Sequence, residues 1–173
     1  MLNKKEIIEK LREFIKSQNK LLLFDINGTG DIISLILKIL VNDIKDPLNI
    51  GFISTSDEHF GEVFSRSSST IKTNTDYHIG GHKINFYLYS KDLMKDSFSD
   101  KNYIIIYPCD DIKEKELIKF FSSHDNLNKV IFINKNSTNS YKHIKKLLPF
   151  VLSLKETANE KYWNMIKSTY INK

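Results

Sequence analysis

A glycine-rich turn between two apolar segments has the residue types that best fit phosphate chemistry. The stretch LLLFDINGTGDII, residues 21–33, is typical of a buried strand, a tight turn and the start of an apolar helix. In a phosphate-binding loop of this layout, backbone N–H groups surround the phosphates, and the following helix N-terminus adds a favourable dipole. The residues that this layout would place against a bound phosphate are Asn27, Gly28, Thr29, Gly30 and Asp31.

Three positions of this loop depart from what phosphate chemistry requires. A lysine normally neutralises the outer phosphates and a following Ser or Thr holds Mg²⁺, but Asp31 and Ile32 occupy these places, and Asp25 stands where the first glycine is usual. Two like unit charges about 4 Å apart cost on the order of 4 kcal/mol near a protein surface. Asp31 can instead cap the helix that begins there, a contribution of roughly 0.5–2 kcal/mol. A purely structural turn is therefore the alternative interpretation.

A basic stretch near the C-terminal end is the second candidate for chemistry. The segment KNSTNSYKHIKK, residues 135–146, places Tyr141 and His143 among lysines. Ammonium groups bind nucleic-acid phosphates and aromatic rings stack on bases, whereas a solvated helix face has the same composition. Both interpretations stay open. The lysines that the first interpretation assigns to nucleic acid are Lys135, Lys142, Lys145 and Lys146.

The histidines and the single cysteine give no catalytic or metal-binding pattern. His78 and His82 flank a Gly-Gly turn and could approach each other across it, but no cysteine or acidic pattern accompanies them. We expect two surface imidazoles and no metal site. Cys109 follows an apolar run and precedes two aspartates, which disfavour a thiolate, so we expect an inert thiol.

Alternating strands and helices must position these groups. Short apolar runs predict strands over 20–26, 49–55, 102–108, 129–136 and 150–154. Helical spacing or polar-faced patterns predict helices over 4–17, 31–44, 56–69, 111–124 and 155–170, and a short basic helix or turn over 140–149. Gly80-Gly81 predicts a β-hairpin within 77–90, and Ser56 or Asp57 is placed to cap the third helix. The alternation predicts an α/β protein of three layers, α/β/α, with a mainly parallel sheet and a hairpin insertion.

Length and composition are those of an ordinary globular protein. The 173 residues, 40% hydrophobic and 27% charged, fit one domain over residues 1–173. A net charge of +5 permits an anionic partner without requiring one. The sequence shows no signal-peptide core and no apolar run of bilayer length, and one cysteine suits a reducing compartment. These features predict a cytoplasmic protein with no membrane association.

The order of segments from 18 to 155 resembles the RecA-like P-loop ATPases, and within them the KaiC-like branch that is common in archaea. The segment DINGTGDI matches the family's G-x-x-G-T-G-K-[ST] loop, with the departures described above. The segment IGFISTSDEHFGEVFSRSSS has the form of the family's second strand, its acidic run and the following helix. The ending LLPFVLSLKE is similar to the family's last strand, with Pro149 where an aspartate is usual.

The resemblance implies roles for further residues. Family members often carry a glutamate after the second strand that activates water, and Glu58 is the matching residue if catalysis survives. The family's third main strand ends in an aspartate that supports Mg²⁺, but Tyr107 or Pro108 stands there, and Asp110 and Asp111 come too late. The family lysine, magnesium hydroxyl and magnesium aspartate are thus all absent from their places.

Together these features predict a degenerate, non-hydrolysing RecA/KaiC-like protein that acts as a regulatory or assembly subunit. Its expected partners are further copies of itself or a paralogous RecA-like ATPase, because such folds usually associate edge to edge. One alternative is an ATP-binding protein or weak ATPase that a neighbouring subunit completes. The other is a nucleic-acid-binding module that uses the basic stretch. The sequence leaves open whether ATP binds at all.

Overall fold

The computed structural model describes residues 4–25, 31–64, 71–95, 98–123, 129–135 and 150–153. Its α-helices are α1 (Lys4–Lys16), α2 (Asp31–Asp43), α3 (Phe60–Phe64) and α4 (Glu114–Ser123). Its strands are β1 (Leu21–Asp25), β2 (Asn49–Ser54), β3 (Asp76–Ile79), β4 (His82–Leu88), β5 (Tyr103–Ile106), β6 (Lys129–Asn134) and β7 (Phe150–Ser153). Short 3-10 helices cover Asp57–His59 and Leu93–Lys95. The predicted helix or turn over 140–149 and the predicted helix over 155–170 lie outside the described residues.

The seven strands form one sheet in the order β3-β4-β2-β5-β6-β1-β7. Every neighbouring pair is parallel except β3 and β4, which are antiparallel. A mainly parallel sheet was predicted from the continuous apolar runs, and the structure confirms it. β4 also pairs in parallel with β2, so the hairpin extends the main sheet.

Helices cover both faces of this sheet, as the sequence predicts for three layers. Neighbouring residues of β1 separate the two cores: Leu22 and Phe24 face the first core, and Leu23 faces the second. The first core packs α1, α2 and α3 against the sheet, and the second packs α4 and the 3-10 helix 93–95 against the other face. Strands buried on both sides need apolar residues at successive positions.

Within the described ranges, the hairpin turn is the place where both conformation and space require a glycine. Gly80 and Gly81 have φ values of +54° and +85°, which match a two-residue turn with left-handed residues. A Cβ on Gly80 would lie 2.5 Å from Cγ1 of Val41 in α2, whereas a Cβ on Gly81 would meet no atom within 4 Å. The turn is thus fitted closely against α2.

The expectation of two surface imidazoles is wrong for His82. Its side chain is only 4% exposed, and its Nδ1 accepts a hydrogen bond of 3.1 Å from the backbone N–H of Leu48. His82 pairs with Ile79, while the exposed His78 pairs with Lys83, so the two histidines lie on opposite faces of the hairpin. The alternation of side chains in a strand therefore prevents them from sharing a ligand.

Two predicted helices differ from the helices observed. The segment predicted as a helix over 56–69 forms a 3-10 turn followed by α3, which ends at Phe64 in the described residues. Ser56 is the cap, because its Oγ accepts a 3.3 Å hydrogen bond from the backbone N–H of Glu58. Helix α4 begins at Glu114 instead of Asp111, since the backbone N–H of Ile112 bonds to the carbonyl of Cys109 in a turn.

Candidate functional site at the carboxyl edge of the sheet

The carboxyl ends of the parallel strands place several polar side chains along one edge of the sheet. β2, which follows β1 in the sequence, lies on one side of β1 in the sheet. β7, which follows β6, lies on the other side of β1. The order of strands therefore reverses next to β1. Ligands of open α/β sheets bind outside the carboxyl ends of strands at such a reversal.

Asp25 and Asn134 meet at this reversal. They are opposite each other in the register of β1 and β6, and Nδ2 of Asn134 donates a 3.0 Å hydrogen bond to Oδ1 of Asp25. Both residues are buried, with exposed fractions of 1% and 0%. Oδ1 of Asn134 is also buried, and it accepts no hydrogen bond within the described part of the chain. Asp25, which replaces the first glycine of the loop, thus has a structural partner.

The predicted phosphate loop lies mostly outside the described residues. This applies to Asn27, Gly28, Thr29 and Gly30. Asp31 is the first residue of α2, as predicted, and the described backbone continues from there. Phosphate contact by these residues stays a prediction.

Tyr107 directly follows β5, at the place where the resemblance implies a magnesium-supporting aspartate. Its side chain is fully buried, its backbone N–H donates to the carbonyl of Ile53, and its ring meets the ring of His59 edge-on with centroids 5.3 Å apart. The aromatic ring therefore fills space beside β2 that a short carboxylate would leave open.

The two aspartates that follow β5 join neighbouring loops. Oδ2 of Asp110 accepts a 2.5 Å hydrogen bond from the backbone N–H of Lys135, just after β6. Oδ2 of Asp111 accepts a 3.1 Å hydrogen bond from Oγ1 of Thr55, just after β2. Within the described ranges, no group of three or more acidic, histidine or cysteine side chains is placed to hold a metal ion. Both aspartates are thus engaged by the neighbouring loops.

A charged cluster that sequence analysis did not predict lies on the first-core side of the edge. Nδ1 of His59 lies 2.9 Å from Oε1 of Glu62, and Nζ of Lys135 lies 3.9 Å from the same oxygen. Oε2 of Glu62 is buried without a hydrogen-bond partner among the described residues. The spacing of three residues within a predicted helix is the signal in the sequence that could have identified the His59–Glu62 pair.

The other predicted site residues are only partly brought together. Glu58 lies in the 3-10 turn beside this cluster and is exposed. Lys135 belongs to the cluster, where Glu62 pairs with its charge. Lys142, Lys145 and Lys146 lie outside the described residues, so a continuous basic surface stays a prediction.

Comparisons with known proteins support the fold alone. No protein-family model and no curated protein matches the sequence. Among solved structures, the chain is similar to the large terminase of the thermophilic bacteriophage D6E in complex with ADP, with a TM-score of 0.56 and 13% identity. A second crystal form of this terminase gives a TM-score of 0.54 at 13% identity. Both matches cover 95% of this chain and 50% of the terminase chain, so this chain spans about half its length. The shared architecture is a P-loop NTPase-like α/β fold.

Among the described helices, none combines the length and apolar character needed to cross a bilayer.

Proposed function

We propose that this chain is a degenerate member of the RecA-like P-loop proteins, of the KaiC-like branch, that does not hydrolyse nucleotide. In this proposal it is a single cytoplasmic domain that serves as a regulatory or assembly subunit. Its partners are further copies of itself or a paralogous RecA-like ATPase. The P-loop NTPase-like fold supports membership of the RecA-like P-loop proteins. The side chains at the carboxyl edge support the loss of nucleotide hydrolysis.

The observation that carries this proposal is the set of groups around the end of β5. A buried tyrosine, Tyr107, stands where a magnesium-supporting carboxylate is needed. The nearest carboxylates, Asp110 and Asp111, accept hydrogen bonds from the loops after β6 and β2. Moving either aspartate toward a metal ion would break such a contact, and a lost hydrogen bond to a charged group costs about 1.5–3 kcal/mol.

The first experiment measures ATP turnover by the purified protein in the presence of Mg²⁺. We expect the wild-type protein and Glu58→Gln to show the same background rate. Asp57→Asn is the matched control, because it removes the neighbouring exposed carboxylate of the same turn. Turnover that Glu58→Gln abolishes and Asp57→Asn preserves would contradict the proposal.

That contradicting result would establish the second candidate, a weak ATPase completed by a neighbouring subunit. The exposure of Glu58 beside the His59–Glu62 pair is the observation in its favour. Titration calorimetry with ATP and ADP, with and without Mg²⁺, separates binding from hydrolysis. The similar terminase was crystallised with ADP, so ADP is the appropriate first probe. Binding without turnover agrees with a regulatory subunit.

The assembly role requires its own measurement. We expect a mass larger than 20.2 kDa by light scattering, or complex formation with a paralogous RecA-like ATPase whose turnover changes on mixing. A protein that stays monomeric and leaves the paralogue's turnover unchanged would contradict the assembly role.

Nucleic-acid binding is the third candidate, and the position of Lys135 at the carboxyl edge favours it. It predicts affinity that falls steeply with salt, because each phosphate contact releases counterions. Replacing Lys142, Lys145 and Lys146 together by alanine should weaken binding and lower the salt dependence. Replacing the exposed Lys10, Lys45 and Lys72 by alanine removes the same number of charges elsewhere and controls for net charge alone. Equal effects of both sets would contradict specific use of the basic stretch.

A further inference from the structure

A cavity of about 250 Å³ lies between α4 and the segment that follows β4. It is separate from the polar edge described above, because its floor is the outer side of the second core. Met94 of the 3-10 helix 93–95 and Phe120 of α4 form that floor, and both are buried members of the core. An engineered apolar cavity of about 150 Å³ holds one benzene molecule. This cavity is therefore large enough for a single ring and a small attached group.

The wall of the cavity carries an excess of positive charge. Three lysines line it, Lys91, Lys95 and Lys119, against one acidic residue, Glu116. Of the three lysines, Lys95 forms an ion pair of 2.7 Å with the highly exposed Asp92. An exposed pair of this kind contributes little and is readily exchanged for another partner.

The single carboxylate of the wall has a neutral partner. The hydroxyl of Tyr89 donates a hydrogen bond to Oε2 of Glu116. Burial and this carboxylate raise the pKa of Tyr89 to about 12, so the phenol stays protonated at neutral pH. The hydrogen bond holds the carboxylate beside Tyr89. Lys91 and Lys119 therefore remain as the cations that a ligand would meet.

We propose that this cavity binds a small organic anion whose apolar body is about one ring in size. The ring would lie on Met94 and Phe120, and its carboxylate or phosphate group would meet the ammonium groups of Lys91 and Lys119. An apolar body with a few placed polar contacts is the usual chemistry of small-molecule sites.

The test uses the full chain with ¹³C-labelled methionine methyl groups. The sequence has three methionines, and within the described part of the chain Met94 lines the cavity, so its methyl signal reports on this site. Benzoate and phenyl phosphate are the probes, benzyl alcohol is the neutral analogue, and inorganic phosphate represents the anionic group alone. We expect a saturable shift of the Met94 methyl signal with both anions. We also expect at least roughly tenfold weaker binding of benzyl alcohol, and no shift with inorganic phosphate.

Substitutions then test the role of the lysines. Lys91 and Lys119 are both changed to glutamine. Glutamine is used instead of methionine because new methionines would add labelled methyl signals. We expect this variant to bind benzoate about fivefold more weakly, as for partly exposed charge pairs. Lys72→Gln, an exposed substitution away from the cavity, should leave binding unchanged. A response to benzyl alcohol as strong as that to benzoate would overturn the proposal without relying on any variant. So would a Met94 signal that never saturates.

Discussion

The ammonium group of Lys129 closes the C-terminal end of α1. Its Nζ donates to the backbone oxygens of Phe14, Ser17 and Asn19 at 2.8–2.9 Å, and it lies 4.6 Å from the centre of the Phe14 ring. The last carbonyl groups of a helix have no partner within the helix, and a cation there also interacts favourably with the helix dipole. One side chain from β6 therefore provides hydrogen-bond donors for the backbone oxygens at the C-terminal end of α1, which packs on the same side of the sheet.

Replacing Lys129 by methionine should lower the free energy of unfolding by about 1–3 kcal/mol. The substitution keeps an apolar stem and removes the donor of three hydrogen bonds to part-buried carbonyl oxygens, of which that of Phe14 still accepts from the hydroxyl of Ser17. Urea unfolding followed by circular dichroism measures the change. Lys10→Met is the control, since its ion pair with Glu13 is exposed and should contribute less than about 0.5 kcal/mol. Equal losses in the two variants would contradict the capping role.

Tyr103 couples stability to alkaline pH. Burial raises its pKa to about 12 in the folded chain, against 10.0 for an ordinary tyrosine. The folded state therefore keeps the phenol proton at pH values where the unfolded state has lost it. The contribution of the Tyr103 proton to the free energy of unfolding is complete below pH 10, and it is lost as the pH rises towards 12.

Replacing Tyr103 by phenylalanine should reduce this alkaline loss of stability. Urea midpoints measured from neutral pH to pH 12 should fall less steeply in the variant above pH 10. Part of the fall should remain, because burial and Glu116 raise the pKa of Tyr89 in the same direction. Identical slopes for wild type and variant would show that Tyr103 ionises alike in both states.

At the scale of elements, the β3–β4 hairpin depends on its turn as well as its strands. Gly80→Ala should destabilise the protein by about 2–4 kcal/mol, because a left-handed residue gains a Cβ and that Cβ meets Val41 at 2.5 Å. Gly81→Ala has the backbone cost alone, about 1 kcal/mol, since open space surrounds its Cβ. Thermal unfolding compares the two variants.

The contact with α2 can be tested separately. Val41→Ala in the Gly80→Ala background should recover part of the lost stability, because it removes the methyl group that the new Cβ meets. The same change in the wild-type background should only destabilise, by loss of packing. Additive effects would indicate that Gly80 matters for its conformation alone.

The elements themselves were largely predictable from the sequence, and their partners were not. Continuous apolar runs such as Leu21–Asp25 fixed the positions of the strands, and Gly80-Gly81 fixed the hairpin. The pairing of β4 with β2 depends on contacts between distant residues, such as Phe52 beside Phe86, whose ring centroids lie 5.5 Å apart. No local pattern of residues specifies such a contact.

The candidate site was predictable in position and less so in composition. β1 ends at Asp25 beside the reversal of strand order, whereas the predicted loop that follows it lies outside the described residues and stays a prediction. The prediction selected Glu58 from a family position, whereas the described side-chain contacts in this turn are made by His59 and Glu62. His82 was placed at the surface because a sequence does not show which face of a hairpin turns inward.

At the scale of the whole molecule, the protection of backbone amides from hydrogen exchange should differ strongly between strands of the same sheet. β1 has a partner on each side and its residues from Leu22 to Asp25 are buried, whereas β3 is the edge strand and has alternating exposure. Amides of 22–24 should therefore exchange with deuterium more slowly than those of 77–79, by at least about a hundredfold, when local opening dominates. Equal exchange rates would indicate that the sheet opens only as a unit.

The position of β1 also constrains the order of events on the ribosome. Both of its neighbours, β6 and β7, come later in the chain than every other described strand, and the cap of α1 at Phe14 arrives 115 residues later. At about 5–20 residues per second, that interval lasts roughly 6–23 seconds. During this time an apolar segment made early has no sheet partner. The order of synthesis therefore makes β6 the strand whose arrival first gives β1 a place in the sheet.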